Sequence, residues 1–538
     1  MTFLLTAMLT LLGATVCVAG ELVPDAGGQW PMASGPNGSW SVLTEKKVPS
    51  VFSVARGKNI LWRTALPEGG QSGIAVWGNR LFLSINRPLP DGTPVSETRG
   101  TDIVGCCFDA DTGHMLWQVP LSGTKSMPHT GIFSDNSSPT PVTDGHHVWF
   151  VNAGGRMSCF DFSGNEIWTR TFQTRTRHNA KNAEPLLHGN WILHVEMRDP
   201  DDPLRRPMKA RPGQRNSPPG DWPLTFLRAF DKATGKPAWI CDTGVSIHNT
   251  PMHGMANGRP VLFFGRGGGH SPPEQPYGFT LAGLDHPSPG KSLWHYDSPS
   301  GFAFFVTPFD DSNAYCFEPG HLTVLDVKSG QLRRTIPLNR HVDVRAFDTS
   351  SGQWQLQADS PFPPAAPRGR ATAKKKNRQH PTNQANIVVN GQCLFMSYSG
   401  HYIARVNIAT GKVEYLQVPV QVIRKPGEPD EFLWNRHIPS DSANSRGMNV
   451  SMDKRAQGDG WGHVTSASPI AVNDLVFFST MVGTVYVVDS AAEVFDRAAL
   501  VSVSDLGKTG STWSLSAPGY SQGRLFHRSL KEVVGIGE

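Results

Sequence analysis

Apolar runs of a few residues, each closed by a Gly-, Asn- or Asp-bearing turn, recur from about residue 60 to the C-terminus. Ile74-Ala-Val-Trp-Gly-Asn-Arg-Leu-Phe-Leu83, Pro141-Val-Thr-Asp-Gly-His-His-Val-Trp-Phe150 and Ile387-Val-Val-Asn-Gly-Gln-Cys-Leu-Phe395 each read as two strands joined by a tight turn. A second hairpin follows each such pair. Its first strand ends in Asp109, Asp161, Asp231, Asp285, Asp326 or Asn407, its turn carries Gly113, Gly164, Gly235, Gly290, Gly330 or Gly411, and an aromatic follows four residues later. That aromatic is Trp117, Trp168, Trp239, Trp294 or Tyr415; the copy around Gly330 keeps the turn but has Arg334 instead.

Four antiparallel strands per repeat make one blade, and large aromatics at a fixed place in the last strand fit the joint between blades. Repeats begin near Ser72, Ser137, Ala183, Thr250, Phe302, Asn383 and Ser466, the last degenerate after Asp489. An eighth, Ala517–Phe526 with Glu532–Ile536, lacks its outer strand. Asn59–Leu66, with Trp62 at the docking position, supplies it. The expected fold is all-β: an eight-bladed β-propeller closed by pairing the N- and C-terminal strands, which removes an exposed edge. Seven blades is the alternative count if the repeat at Phe302 or Ser466 is not a blade.

Composition agrees. The 538 residues hold 55 Gly, 43 Pro and 15 Trp, with only 18% charged. The formal charge of +5 is mild, and the one basic run, Arg368–Arg378, has no interleaved aromatics, so no nucleic-acid partner is expected. Residues 1–20 read as a secretory signal, apolar over Phe3–Val16 and followed by small residues, although no Lys or Arg precedes the apolar run. Val16 before Cys17 does not fit a lipidation site. No later stretch reads as a transmembrane segment, so the expectation is an exported protein, periplasmic or extracellular. Residues 21–58 form an N-terminal extension and 59–538 the propeller, with insertions at 199–222, 360–382 and 421–462. Of these the last carries aromatics, Phe432, Trp434 and Trp461 among them, and is the best candidate for a functional loop. Beyond Cys17, Cys106, Cys107, Cys159, Cys241, Cys316 and Cys393 form no haem or zinc motif, and Cys106 and Cys107 face opposite ways along a strand.

This pattern resembles the pyrroloquinoline-quinone-type (PQQ-like) β-propeller repeat, in which a Gly turn and a docking Trp recur in each blade, over roughly residues 59 to 538. That family includes quinoprotein alcohol dehydrogenases, the propeller lipoprotein of the outer-membrane β-barrel assembly machinery, and exported proteins without an assigned activity. Trp30-Pro-Met-Ala-Ser-Gly-Pro-Asn-Gly38 is similar to the opening of that last group. The resemblance implies the fold and leaves function open.

Propeller loops that lead from one blade's outer strand to the next blade's inner strand converge beside the central channel. Here they carry His129, Asp135, Asn136, His178, Asn179, His248, Asn249 and His463, a candidate channel-face cluster. The four histidines are of the type that holds a transition metal or supplies a base near neutral pH. Were the chain a quinoprotein, the resemblance would imply pyrroloquinoline quinone with Ca²⁺, stacked on a Trp and held by basic groups. Trp461, Arg266, Arg446, Asn136 and Asp135 are residues of those types. Arg266 also opens a glycine-rich run, Phe264–Glu274, whose backbone N–H groups suit an anion, but no helix pattern follows it. With no Cys-x-x-Cys-His haem motif, the leading expectation is a binding or scaffolding module for a protein or polymer partner, and a quinone-dependent oxidoreductase is the alternative.

Overall fold

The computed structural model describes residues 28–538 apart from 89, 91–98, 101, 125–126, 129–134, 173–182, 198–224, 247–248, 267–277, 286, 299–304, 319, 363–384, 398–400, 435, 441–442, 444–448 and 450–466. Among the described residues there is no helix, and none long and apolar enough to cross a membrane. The strands build eight blades in chain order: 75–121, 142–171, 186–244, 252–297, 309–337, 386–417, 470–505 and 519–536. Blade 5 has three strands, and an isolated bridge between Phe309 and Ala314 stands in for the innermost one. The fourth strand of blade 8 is Ile60–Ala65, paired antiparallel to Glu532–Ile536, so the two ends of the chain close the ring. Both repeats that read weakly, at Phe302 and Ser466, are blades; blade 7 has its outer strand at Leu500–Asp505.

The repeat signature is explained at the joints. In the outer strand the Trp indole N–H of one blade donates to the carbonyl of the residue just after the strand-ending Asp of the next. Trp62 reaches Ala110 O (3.1 Å), Trp117 Phe162 O (2.9 Å), Trp168 Lys232 O (3.0 Å) and Trp294 Val327 O (2.7 Å). The ring then lies on the next blade's turn glycine. A Cβ added at Gly235 would stand 2.6 Å from Trp168, and at Gly330 2.6 Å from Trp294, while both glycines hold φ near +70°. Glycine is therefore required twice, by backbone conformation and by the ring above it. The Asp fixes the turn: Asp231 and Asp326 each accept backbone N–H bonds from the turn they precede.

Arg334 shows what the missing aromatic was for. It occupies the Trp position, lies over Gly411, and its guanidinium donates to the carbonyls of Ile408 (3.2 Å), Ala409 (2.8 Å) and Thr410 (2.5 Å). We expect Arg334→Ala to lower stability by about 1–2 kcal/mol, and Arg334→Trp to stay within about 1 kcal/mol of wild type because the cradle is that of the other joints. Denaturant unfolding of the two variants checks this. Tyr415, in the corresponding place of blade 6, does not dock forward: it is buried and donates from its hydroxyl to Leu338 O (2.7 Å) of blade 5. Arg405 takes over that joint, donating to the Ala492 carbonyl and stacking over Phe495.

Two features lie outside the repeat. Residues 342–360 form an additional hairpin, Val342–Asp348 with Gln353–Ser360, whose first strand pairs parallel to the outer strand of blade 6, giving a six-stranded sheet. The N-terminal segment enters the ring. Gln29–Trp30 pairs with the inner strand of blade 1, Pro31 O accepts from Thr143 N of blade 2 (2.9 Å), and Ser41–Val42 runs parallel to the inner strand of blade 7. Gly38 is pressed against His253 of blade 4, and Trp30, Met32 and Trp40 are buried. Residues 28–44 thus fill the channel on the side of the short turns between first and second strands. All six described cysteines are free and buried.

Candidate functional site

The opposite, upper face is shaped by two sequence patterns. Inner strands start with a residue that precedes proline: Thr140, Glu184, Thr250, Thr307, Ser468 and Ala517. Proline restricts that residue to extended backbone, which leaves its N–H and side chain to reach neighbouring blades. Gly73 N donates to Thr140 Oγ1 (3.0 Å), Thr140 N to Glu184 Oε2 (2.7 Å), and Glu184 N to Thr250 Oγ1 (3.3 Å). Beyond these, Asn249–Thr250 pairs parallel with Phe305–Val306, Asn386 Nδ2 donates to Val306 O (3.2 Å), and Ser516 Oγ donates to Ser72 O (2.8 Å). The result is a belt of hydrogen bonds that runs from blade 8 through blade 1 to blade 6 along the upper channel.

Just outside the belt, each apolar second strand carries a buried polar residue at its end or, in blade 3, one position before it. In order these are Asn86, Asn152, Glu196, Arg266, Glu318, Ser397, Ser479 and Arg528. Most are held by partners nearby: Asn152 by Leu121 O, Glu196 by Arg170 and His194, Glu318 by Ser298, Thr323 and His321. Arg528 is different. Its side chain crosses from blade 8 to blade 1, donating to Ser84 O (2.6 Å) and Ser72 Oγ (3.3 Å), and no carboxylate among the described residues is in ion-pair contact with it. Burial pushes its guanidinium down to about 10, with the Asp135 charge pulling the other way, so it remains a cation at neutral pH. Beside it His527 is neutral, pushed by burial down to about 4. Since its Nδ1 faces the Arg528 carbonyl (2.9 Å), Nδ1 carries the proton and Nε2 accepts from Ser479 Oγ (3.1 Å).

Of the residues expected at the channel face, Asp135, Asn136 and Asn249 are described and all three are buried. Asp135 accepts from Ser137 N (2.8 Å) and Oγ (2.6 Å) and from Asn86 Nδ2 (3.0 Å), which ties the loop entering blade 2 to the second strand of blade 1. Asn136 O accepts from Ala153 N (2.9 Å). Asn249 belongs to the entry of blade 4, where its Oδ1 accepts from Gly265 N (3.0 Å). Asp135 and Asn249 thus act in different places, one at the joint of blades 1 and 2 and the other within blade 4. His129, His178, Asn179, His248, His463, Arg446 and Trp461 lie outside the described residues, and among the described ones no three His, Cys, Asp or Glu side chains are grouped to hold a metal. Glu184 and Arg528 were not singled out from sequence, although both carry a signal. Glu184 is the acidic residue among those preceding the inner-strand prolines, and Arg528 ends the apolar run of its strand.

The sequence matches the family described as outer membrane protein assembly factor BamB over residues 44–191 and again over 100–269, a span that takes in blades 1 to 3 and the first two strands of blade 4. Over that span the chain carries PQQ-type propeller repeats. No curated protein matches it in sequence. Similar solved structures include a europium-containing methanol dehydrogenase, at 12% identity and TM-score 0.48 over 93% of this chain and 89% of that one. Quinohemoprotein alcohol dehydrogenase from Comamonas testosteroni gives 12% and 0.48 over 95% and 81%, and BamB from Moraxella catarrhalis 12% and 0.33 over 89% and 99%. At these values none of the three bears on residue roles.

A quinone would need a platform, a cation and oxygen ligands in one place. The described candidates do not supply that set. Arg266 sits in blade 4 and spends its guanidinium on Asp297 (2.5 Å) and Tyr296 O (3.2 Å) of the same blade, whereas Asp135 is engaged at the joint of blades 1 and 2. No step through a quinone is derived from them.

Proposed function

We propose that this chain is an exported binding or scaffolding propeller that holds a protein or polymer partner on its upper face or along its blade edges. The observation that carries this reading is the N-terminal segment: residues 28–44 fill the lower channel and bind the inner strands of blades 1, 2 and 7. A ring closed by its own terminal strand, braced by the inter-blade belt and packed at its lower centre is a rigid platform. Contacts with a partner are then left to the upper loops and the rim.

The described part of the 421–462 insertion suits such a role. Gln421–Ile423 and Glu431–Leu433 form a hairpin fixed by Arg424 to Asp430 (2.9 Å) and Asp505 (3.0 Å), and by Arg56 to Asp430 (2.7 Å). Its second strand, in which Phe432 pairs with Val422, turns the Phe432 ring outward, 41% exposed. The test is a photo-crosslinking amino acid placed at Phe432, with Ile167 on the outer strand of blade 2 as control position. A discrete adduct from Phe432 and none from Ile167 is the expected result. Stoichiometric uptake of pyrroloquinoline quinone with Ca²⁺, read by absorbance and mass, would overturn the reading in favour of an oxidoreductase.

A further inference from the structure

The hairpin added to blade 6 ends the sheet in an unusual edge. Gln353–Ser360 is an eight-residue strand, exposed along most of its length, and among the described residues nothing pairs with its outer side. Alternate residues of such a strand turn their N–H and C=O groups outward, a template for another strand. Protective features are lacking: Gln353-Trp-Gln-Leu-Gln-Ala358 has no charge and no proline. The ladder is limited at one end by Asp359, whose φ of 48° breaks the extended run and whose carboxylate is held by His341 Nδ1 (2.9 Å).

We propose that this edge is a self-association site, at which two copies of the chain pair Gln353–Ala358 antiparallel about a two-fold axis through Leu356. The strand is complementary to itself in that register. Leu356, 53% exposed, meets its own counterpart, and on the same face Trp354 is set against Ala358 of the second copy, a large side chain beside a small one. On the other face Gln355 meets Gln357. The Gln355 amide nitrogen already donates to Asp348 Oδ2 (3.1 Å), which leaves its oxygen to accept from the facing Gln357. The sole charge within the paired strand, Asp359, comes opposite Gln353, so the two carboxylates are about 20 Å apart, beyond the screening length at physiological salt.

Geometry permits the approach. The hairpin carries this strand two strand spacings, about 10 Å, beyond the outer strand of blade 6, and blade 7 meets it at Trp354, over whose ring Arg497 lies at 5.9 Å. Trp354 is braced from within: its indole donates to Gln417 O (2.9 Å), Phe347 packs edge-on to it, and Trp434 stacks on Phe347 at 3.7 Å. The edge is therefore held in shape before pairing. Six residues per copy bury less than the roughly 1,200 Å² of a stable interface, so the dimer forms with increasing concentration.

Sedimentation of the full chain from low to high micromolar concentration should show a monomer passing into a dimer. Leu356→Lys and Leu356→Glu each place like charges face to face on the axis and should weaken self-association at least about tenfold. Mixing the two variants should restore it, because residue 356 of one copy faces residue 356 of the other. Circular dichroism unchanged in both variants excludes unfolding at this exposed position. A chain monomeric throughout, a dimer indifferent to Leu356→Lys, or variants that fail to recombine would each overturn the proposal; a lone copy binding some other extended polypeptide at this edge would appear as the first of these.

Discussion

Trp62→Ala is expected to destabilise the protein by about 3–5 kcal/mol, the range for removing a large buried aromatic, and to do so in blade 8, the one blade assembled from both ends of the chain. Trp62 is 9% exposed, packs on Gly113 and Gly535, lies 6.0 Å from the Phe526 ring, and donates to Ala110 O (3.1 Å). It therefore fastens the strand Ile60–Ala65 both to its own blade and to blade 1. Trp168→Ala removes the same ring and the same hydrogen bond between blades 2 and 3, where each blade is one run of chain. The two variants should lose similar stability, but only Trp62→Ala should release a strand and expose the edge of Glu532–Ile536. Denaturant unfolding measures the loss, and limited proteolysis between residues 44 and 66 measures the release. A change below about 1 kcal/mol, the size of the indole hydrogen bond alone, would show that the ring closes by strand pairing without the docking residue.

The repeat was legible because its physical causes are local. An Asp that caps a turn, a glycine at positive φ and a tryptophan that lies on the neighbouring glycine recur within one short stretch, so Asp231, Gly235 and Trp239 announce both a turn and a joint. The closing strand was legible for the same reason, since Trp62 follows the rule without a blade of its own. The added hairpin at 342–360 was not, because its pairing with blade 6 is parallel and links residues some seventy positions apart, which no local period records. Nor was the path of residues 28–44, whose partners lie at both ends of the chain. At the upper face the residue types were right in part: Asp135 and Asn249 are buried there, but Asp135 is engaged at the joint of blades 1 and 2 and Asn249 within blade 4. The charged residues that set the local electrostatics, Glu184 and Arg528, sit at positions that only a comparison across all blades makes distinct. Chemically suggestive side chains on converging loops need not converge on one another.

Glu184 gives the protein a pH dependence of unusual sign for a carboxylate. Burial pushes its carboxyl up to about 7 from an ordinary 4.5, against the opposing pull of the Thr140 N–H. A group whose value is higher in the folded chain stabilises the fold fully below its unfolded value, and that contribution is lost as pH rises through the folded one. The window is therefore from about pH 4.5 to pH 7, and the shift corresponds to at most about 3 kcal/mol, reduced by whatever water reaches the side chain. Glutamine at this position keeps an oxygen for Thr140 N and cannot ionise. Glu184→Gln should then match wild type near pH 4.5 and exceed its stability at pH 8 by up to about 3 kcal/mol, with the slope of stability against pH flattened between them. Glu184→Ala, by contrast, strands the Thr140 N–H and breaks the belt between blades 2 and 3, costing about 1–3 kcal/mol at both pH values. Chemical denaturation of the three proteins across this range decides the matter. Parallel pH profiles for wild type and Glu184→Gln would mean that the carboxyl ionises in the ordinary range, and that the belt at this joint is solvated.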